Sequence, residues 1–442
     1  MEKQATCPTI ISKLNAYVVV LLAFSIPFPR QFSLYLSVLW IVLSVTERII
    51  EKRFSVKKPD WIILIGFFLF YLLHITGLFY STNTSAAGVD IILRIPFVFM
   101  PLLLALSAEN LTRYKKKILL AFVAGNIVAA LICLGASVFR SLSYVDGQWQ
   151  WQAELMEHYG YTFWQMLANG GNNFMYEPLS IFIHPGYFAI YMVTAVVILL
   201  DSLADKEAKN TVGTRSWILI LIVFCSIMVY LLFSRTGLIA LFLVLFFYFM
   251  LFVFRQKSKL LKGALLLGVA LFTIAGVYVF IHNGRMKNTY SQIRKYVNDP
   301  SDVSKNDDRI FIWGLSMNII QENLVFGVGT GDSKDELMEK YQEKQMEEAM
   351  KARLNVHNQY LETTIQLGML GLLSLLFIFT SAFCRAAKRR DIKLALVLFV
   401  NALFFLFESV LNTQTGVYYF VFVISVLLFV PQGKAGNKIT FS

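Results

Sequence analysis

Charged residues are scarce in this chain, 15% of 442 residues, where a soluble globular domain carries roughly a quarter. The deficit makes sense if most of the length lies in lipid. A membrane helix needs about 20 largely apolar residues, and lipid forces each backbone polar group to pair within its own segment. The apolar residues, 57% of the chain, fall in long continuous runs, not in the short alternating segments of a membrane β-barrel. Cysteine is also rare. Cys133 and Cys225 lie in apolar runs, and Cys7 and Cys384 lie in segments next to basic loops. This placement gives no disulfide framework. There is no Walker motif, no His-Glu-x-x-His and no Cys-x-x-Cys, and the scattered carboxylates form no metal set. Neither ATP use, nor a cofactor, nor an obligatory metal is expected. The N-terminus has no clear cleavable signal, so its first apolar run is read as a retained span. No internal repeat or low-complexity segment is present.

What is there is an all-α polytopic membrane pattern. About twelve apolar runs of spanning length occupy 10–28, 32–49, 61–80, 89–107, 118–139, 180–200, 216–233, 236–254, 263–281, 357–380, 392–411 and 416–431. The net charge of +12 does not point to nucleic acid, because the basic residues cluster in short loops beside apolar runs. Glu47–Lys58, Arg113–Lys117, Arg255–Lys262 and Arg385–Lys393 are dense in Lys and Arg, whereas Ser81–Gly88 and Asn412–Gly416 have none. By the positive-inside rule the dense set is cytoplasmic, as are both termini. Two long loops then fall outside, Arg140–Leu179 and His282–Val356. The second carries eleven Lys/Arg and twelve Asp/Glu, and long loops translocate largely regardless of charge. The chain divides into a bundle over 1–281, a large extracytoplasmic loop over 282–356 and C-terminal helices over 357–442. Inside the loop, Arg309–Glu322 reads as helix, Phe326–Gly331 breaks it, and Asp332–Arg353 reads as a second helix. That helix has Glu336–Lys340 and Glu339–Lys344 as charge pairs. Its Leu337, Met338, Tyr341, Met346 and Met350 are placed on the membrane surface.

Charges and histidines near membrane depth are costly and are candidates for function. Arg235 sits in the tight turn Phe233-Ser234-Arg235-Thr236-Gly237, either as a snorkelling helix-end residue or as an anion donor. Arg309 opens an amphipathic segment, either paired with Asp308 or offering a planar guanidinium to phosphate oxygens. His357 precedes a span in which Asn358, Glu362 and Gln366 recur every four residues on one helical face. Such a polar stripe lines a cavity or contacts other helices, and a His there is a plausible proton-transfer group. His184, before Pro185, is structural or lines a substrate. Asp90 and Arg94 are four apart and pair with each other, and Arg94 is also a candidate for the same cavity. Glu408 and Asn412 lie near the outer end of the eleventh run. His74 is given no role, and Gly368 to Gly371 is assigned to close packing.

Taken in order, Ser234-Arg235-Thr236-Gly237, Arg309 with Trp313, Phe326-Gly327-Val328-Gly329, His357-Asn358 with Glu362, and Gly368-Met369-Leu370-Gly371 resemble the O-antigen ligase and O-antigen polymerase superfamily. The resemblance covers about 216–380 by motif. It implies a GT-C-like architecture and a membrane glycosyltransferase, multi-pass in the bacterial inner membrane, with its active site at the periplasmic face. The donor it implies is a glycan on undecaprenyl diphosphate. In a ligase of lipopolysaccharide biosynthesis the acceptor is lipid A–core; in a polymerase it is another lipid-linked glycan. Transfer is implied to need no metal and, for ligases, to invert the anomeric carbon. Arg235 and Arg309 correspond to the family's diphosphate-binding arginines and His357 to its essential histidine. Arg94, His184, Asn358, Glu362 and Glu408 are expected to line the substrate. Trp149, Trp151, Tyr159, Tyr161 and Trp164 either stack on sugars or form an interfacial belt. Ligase is favoured over polymerase. The rival from another class is a flippase or transporter, which would show matching halves and a mid-membrane site. A membrane scaffold is the third reading, and it leaves Arg235, Arg309 and His357 without a cause.

Overall fold

In lipid a long apolar run can satisfy its backbone as a helix, and every run expected to span is helical in the computed structural model. Residues 10–52, 56, 58–145, 147–151, 173–204, 212–254, 256–282 and 309–431 are described. Expectations attached to Cys7, Tyr159, Tyr161, Trp164 and Asp308 lie outside them. The bundle helices are α1 (Ile10–Ser25), α2 (Arg30–Glu51), α3 (Lys58–Leu78), α4 (Thr84–Arg94), α5 (Pro96–Leu106) and α6 (Lys115–Arg140). They continue as α7 (Pro185–Ala204), α8 (Val212–Leu231), α9 (Arg235–Phe254) and α10 (Lys259–His282). Three extramembrane helices follow, α11 (Arg309–Glu322), α12 (Ser333–Glu343) and α13 (Glu347–Ala352). The bundle closes with α14 (Gln359–Arg389), α15 (Ile392–Phe405) and α16 (Gln414–Phe429). Among the described residues, eight helical stretches are long and apolar enough to cross a membrane; α1, α15 and α16 are shorter apolar helices. The chain is therefore an all-α polytopic membrane protein, save for one hairpin among the described residues. In it Leu142–Val145 pairs antiparallel with Gln148–Trp151 and sets Tyr144 opposite Trp149. The run expected over 89–107 is two helices, because Pro96 has no N–H to continue α4. The run expected from residue 180 begins helically only at Pro185, a residue suited to a first helical position.

The two central helices are apolar all round, as buried helices must be. In α7 every residue from Pro185 to Leu199 is buried, and in α16 every residue from Gly416 to Phe429. Around them α7 packs on α6, α8, α9 and α15, α16 packs on α5 and α15, and α3 lies between α5 and α14. One polar cluster in this core is paired across three helices. Tyr419 stacks on Tyr191 at 4.5 Å and shares hydrogen bonds with Thr194 (2.6 Å) and Asn401 (3.2 Å). The carbonyls at the end of α16 lack helical partners. Lys115 Nζ donates to Val430 O at 2.6 Å and Arg389 Nη1 to Leu428 O at 2.7 Å, which also sets positive charge at the negative end of the helix dipole.

The extramembrane helices enclose a second small core of Phe311, Ile312, Ile319, Leu337, Tyr341 and Met346, seated on Ile365 of α14. Leu337, Tyr341 and Met346 therefore do not rest on the membrane surface. Folding α12 back on α11 buries their apolar face inside the protein, and of the five only Met350 is exposed. Lys340 pairs with Glu322 and Glu343, each at 3.6 Å, and not with Glu336. The tertiary approach of α11 supplies a carboxylate that sequence spacing does not reveal.

These helices are held to the bundle by backbone. At Gly368 (φ 62°, ψ −161°) α14 breaks, which frees the carbonyls of Ile365 and Gln366. The amides of Val328 and Gly329 take them at 2.8 and 3.0 Å, and Met369 N donates to Leu324 O at 2.8 Å. A Cβ on Gly368 would lie 2.2 Å from Val325 O, and one on Gly327 would lie 2.5 Å from Ile365 O. Gly368 thus does more than allow close helix packing, since it supplies a backbone conformation that other residues rarely adopt. Gly368→Ala should destabilise the fold by at least about 1–3 kcal/mol, read as a lower Tm in detergent. Gly263→Ala, where an added Cβ meets nothing within 4 Å, should leave Tm unchanged or slightly raised.

Candidate functional site

The start of α14 is set by short polar side chains. Asn358 Oδ1 accepts from Tyr360 N and Leu361 N at 3.0 and 3.1 Å, a helix N-cap. One residue earlier, His357 adopts φ 50°, and its N–H donates to Asn355 Oδ1 at 2.9 Å. This turn aims the imidazole at the loop between α15 and α16, where His357 Nδ1 lies 3.3 Å from Glu408 Oε2. The other carboxylate oxygen accepts from Arg309 Nη2 at 3.0 Å, and Arg309 Nη1 donates to Phe407 O at 2.8 Å. Arg309 is the first residue of α11, whose Trp313 anchors it by donating to Val356 O at 2.9 Å. From the opposite wall comes α7. A Cβ on Gly186 would lie 3.4 Å from Glu408 Oε1 and 3.3 Å from His184 Nδ1. Tyr187 Oη holds the same loop by donating to Ser409 O at 3.2 Å.

Glu408 is thus the hub that joins Arg309, His357 and the His184 turn. Burial opposes its ionisation, but the hydrogen bond from His357, the Arg309 charge and the two neighbouring imidazoles outweigh that and hold its carboxyl below the ordinary 4.5. An ionised carboxylate only accepts, so the hydrogen bond of this pair is donated from His357 Nδ1. Burial lowers His184 below its ordinary 6.5, partly opposed by Glu408 and Glu177. Its Nδ1 accepts from Gly186 N at 3.2 Å, as in a neutral ring.

Arg235 opens α9 with an exposed side chain. Ser234 Oγ accepts from Gly237 N at 3.1 Å, and a Cβ on Gly237 would lie 2.9 Å from Ala189 Cβ. That contact sets the Arg235 turn against α7 one helical turn from Gly186, at the same end of the bundle as His357. Behind the hub runs a buried polar chain. Ser333 Oγ donates to Glu362 Oε1 at 3.0 Å, Gln366 Nε2 lies 3.4 Å from the same oxygen, and Arg94 Nη2 lies 3.4 Å from Gln366 Oε1. Arg94 is fully enclosed and ion-paired with Asp90, as the four-residue spacing predicts. In this structure Arg94 and Glu362 serve interior contacts, and Asn358 serves the helix cap. Gly186, Asn355, Tyr187 and the Phe407 carbonyl carried no signal strong enough to find. Only the Pro-Gly pair after His184 hinted at a constrained turn.

Residues 220–378 match the family described as O-antigen ligase. That segment is similar to the O-antigen ligase family, which supports the resemblance to the ligase and polymerase superfamily that the motifs carry. Members of that superfamily act on lipid-linked glycans and glycan acceptors. The matched segment includes Arg235, Arg309, His357, Asn358 and Glu362, while Glu408, His184 and Arg94 come from outside it. No curated protein matches the chain.

Acid should weaken this site in two stages. Folding favours neutral His184, so its contribution is present above about pH 6.5 and is lost as pH falls towards its lowered folded value. Glu408 adds a term present above about 4.5 and lost as pH falls through its own folded value. Thermal unfolding from neutral to acid pH should show Tm falling below 6.5, and His184→Asn should flatten that first stage. An unchanged slope in the variant would refute the assignment to His184.

Proposed function

We propose that the protein is an O-antigen ligase that moves a glycan from undecaprenyl diphosphate to lipid A–core at the periplasmic face of the bacterial inner membrane. The observation that carries this reading is the Arg309–Glu408–His357 constellation, built where α14, α11 and the α15–α16 loop meet. In the transfer, the acceptor hydroxyl oxygen attacks the anomeric carbon from the face opposite the diphosphate. The bond from that carbon to the diphosphate oxygen breaks, and its electron pair leaves with the diphosphate. His357 Nε2 takes the hydroxyl proton, and the Glu408 carboxylate steadies the imidazolium that results. The leaving group gathers negative charge. Two of the five N–H donors of Arg309 are committed to Glu408 and Phe407, and its side chain is 42% exposed, so the remaining donors can face a diphosphate. Arg235 offers a second guanidinium at the same end. Fixed cations at a low-dielectric boundary stabilise such charge without a metal.

His184 and Gly186 shape the wall beside the reacting groups. Asn358, Glu362 and Arg94 act behind them, holding the starts of α14 and α12 in place. The bundle over 1–281 and 357–442 grips the prenyl chain, and the loop 282–356 covers the sugars. Both termini are cytoplasmic in this reading.

Purified protein in nanodiscs, supplied with undecaprenyl diphosphate glycan and lipid A–core, should transfer glycan to the core. A ladder of longer lipid-linked glycans, formed without that acceptor, would make it a polymerase. Movement of intact donor across the bilayer, with no product, would make it a transporter. His357→Ala should cost about 10²–10⁴-fold in turnover and Arg309→Ala about 10²–10³-fold. Near-normal rates in both would sink the site assignment. EDTA should leave turnover unchanged, and a full loss restored by Mg²⁺ or Mn²⁺ would refute the metal-free route.

A further inference from the structure

At the opposite, basic end of the bundle, α3 and α14 enclose a cleft of about 560 Å³. The two helices meet tightly at Gly66, where an added Cβ would lie 3.0 Å from Phe377 Cδ1 and 3.4 Å from Ile378 Cγ1. The walls are Ile62, Ile63 and Phe377, with Ile62 57% and Phe377 39% exposed. Thr380 and Ser381 also line the cleft, but their hydroxyls donate to Leu376 O at 2.9 Å and Ile378 O at 3.0 Å within α14 and leave the wall apolar. At the mouth stand Arg385, Lys388 and Arg389. Arg385 is paired with Asp60, and Arg389 caps Leu428 O. Lys388 has no partner among the described residues. Two carboxylates, Asp60 on Arg385 and Asp391 near Arg389, face three cations and leave the mouth with a net positive charge.

We propose that this cleft binds an anionic phospholipid, its phosphate head group held by Lys388 with Arg385 and Arg389, and one acyl chain lying along Ile62, Ile63 and Phe377. A chain-bearing anion fits where a small anion does not. Lys388 is eleven residues along α14 from Phe377, about 16 Å at 1.5 Å per residue, the reach of an acyl chain running from head group to closed end. Basic pockets between membrane helices are suited to anionic head groups, and each Lys or Arg near such a surface is worth about 1 kcal/mol. The volume lies in the range of small-ligand clefts, roughly 300–1,000 Å³, enough for a head group and one chain segment.

Cys384 lines the same cleft and is the exposed cysteine among the described residues, with Cys133 and Cys225 buried. It reports occupancy directly. The full chain in nanodiscs of phosphatidylcholine, or of phosphatidylcholine with added phosphatidylglycerol, is treated with N-ethylmaleimide. Modification of the Cys384 peptide is followed by mass spectrometry. Phosphatidylglycerol should slow modification about tenfold when its effective concentration is ten times Kd. Lys388→Glu, which disturbs no described contact, should restore the faster rate in the same nanodiscs. Equal rates in both lipids, or protection that survives in Lys388→Glu, would overturn the proposal. So would equal protection by inorganic phosphate alone in detergent, which would show an anion site with no place for the chain. None of these readouts depends on glycan transfer, so the outcome is separate from that of the ligase reading.

Discussion

The fold depends on a broken helix repaired by another segment's backbone. Where α14 departs from helical geometry at Gly368, two carbonyls at membrane depth lose their partners, and orphaned groups there cost several kcal/mol each. Val328 and Gly329 supply the missing donors, and Leu324 accepts in return. This exchange fastens α11 and α12 to the bundle. The same loop also reaches the end of α3, where Thr330 Oγ1 donates to His74 O at 2.7 Å. Asp332 then accepts from Thr82 N and Asn83 N, each at 2.7 Å. With both ends of the loop tied, Arg309 at the head of α11 can meet Glu408 from the far side of the bundle.

Charge is divided between the two ends of the bundle, and each end uses it differently. At the basic end the cations are mostly structural. Lys115 and Arg389 take the last carbonyls of the most buried helix, and Lys393 pairs with Asp201 at 2.6 Å. At the other end one carboxylate gathers an arginine and two histidine environments into a small space. The Arg309–Glu408 pair is half open to solvent on the arginine side and buried on the glutamate side. The carboxylate is thereby fixed while the guanidinium keeps donors to spare. In the proposed transfer, such a hub would orient a proton acceptor and an anion clamp together.

The helical runs were legible because lipid allows so few alternatives: a long uncharged stretch has one way to satisfy its backbone. The Asp90–Arg94 pair was legible from helical spacing, and the candidacy of Arg309 and His357 from the cost of placing charge near lipid. The environment of Glu408 was not. Its partners lie 51 and 99 residues away in sequence, and the family match ends before it. The fate of Leu337, Tyr341 and Met346 was equally hidden, since an apolar helix face is the same whether membrane or protein covers it.

By itself the sequence determined that the chain is a helical membrane protein with a basic end, and which residues were too costly to be there without a reason. Those are local properties, set by hydropathy, charge and helical period. Tertiary structure alone decided that Gly368 would be a break and not a packing notch, and that Arg94 would be enclosed while Arg309 stayed open. It also decided that Glu408 would join Arg309 to His357. These outcomes depend on which distant segment supplies a donor or a wall, and nothing local to each residue carries that information.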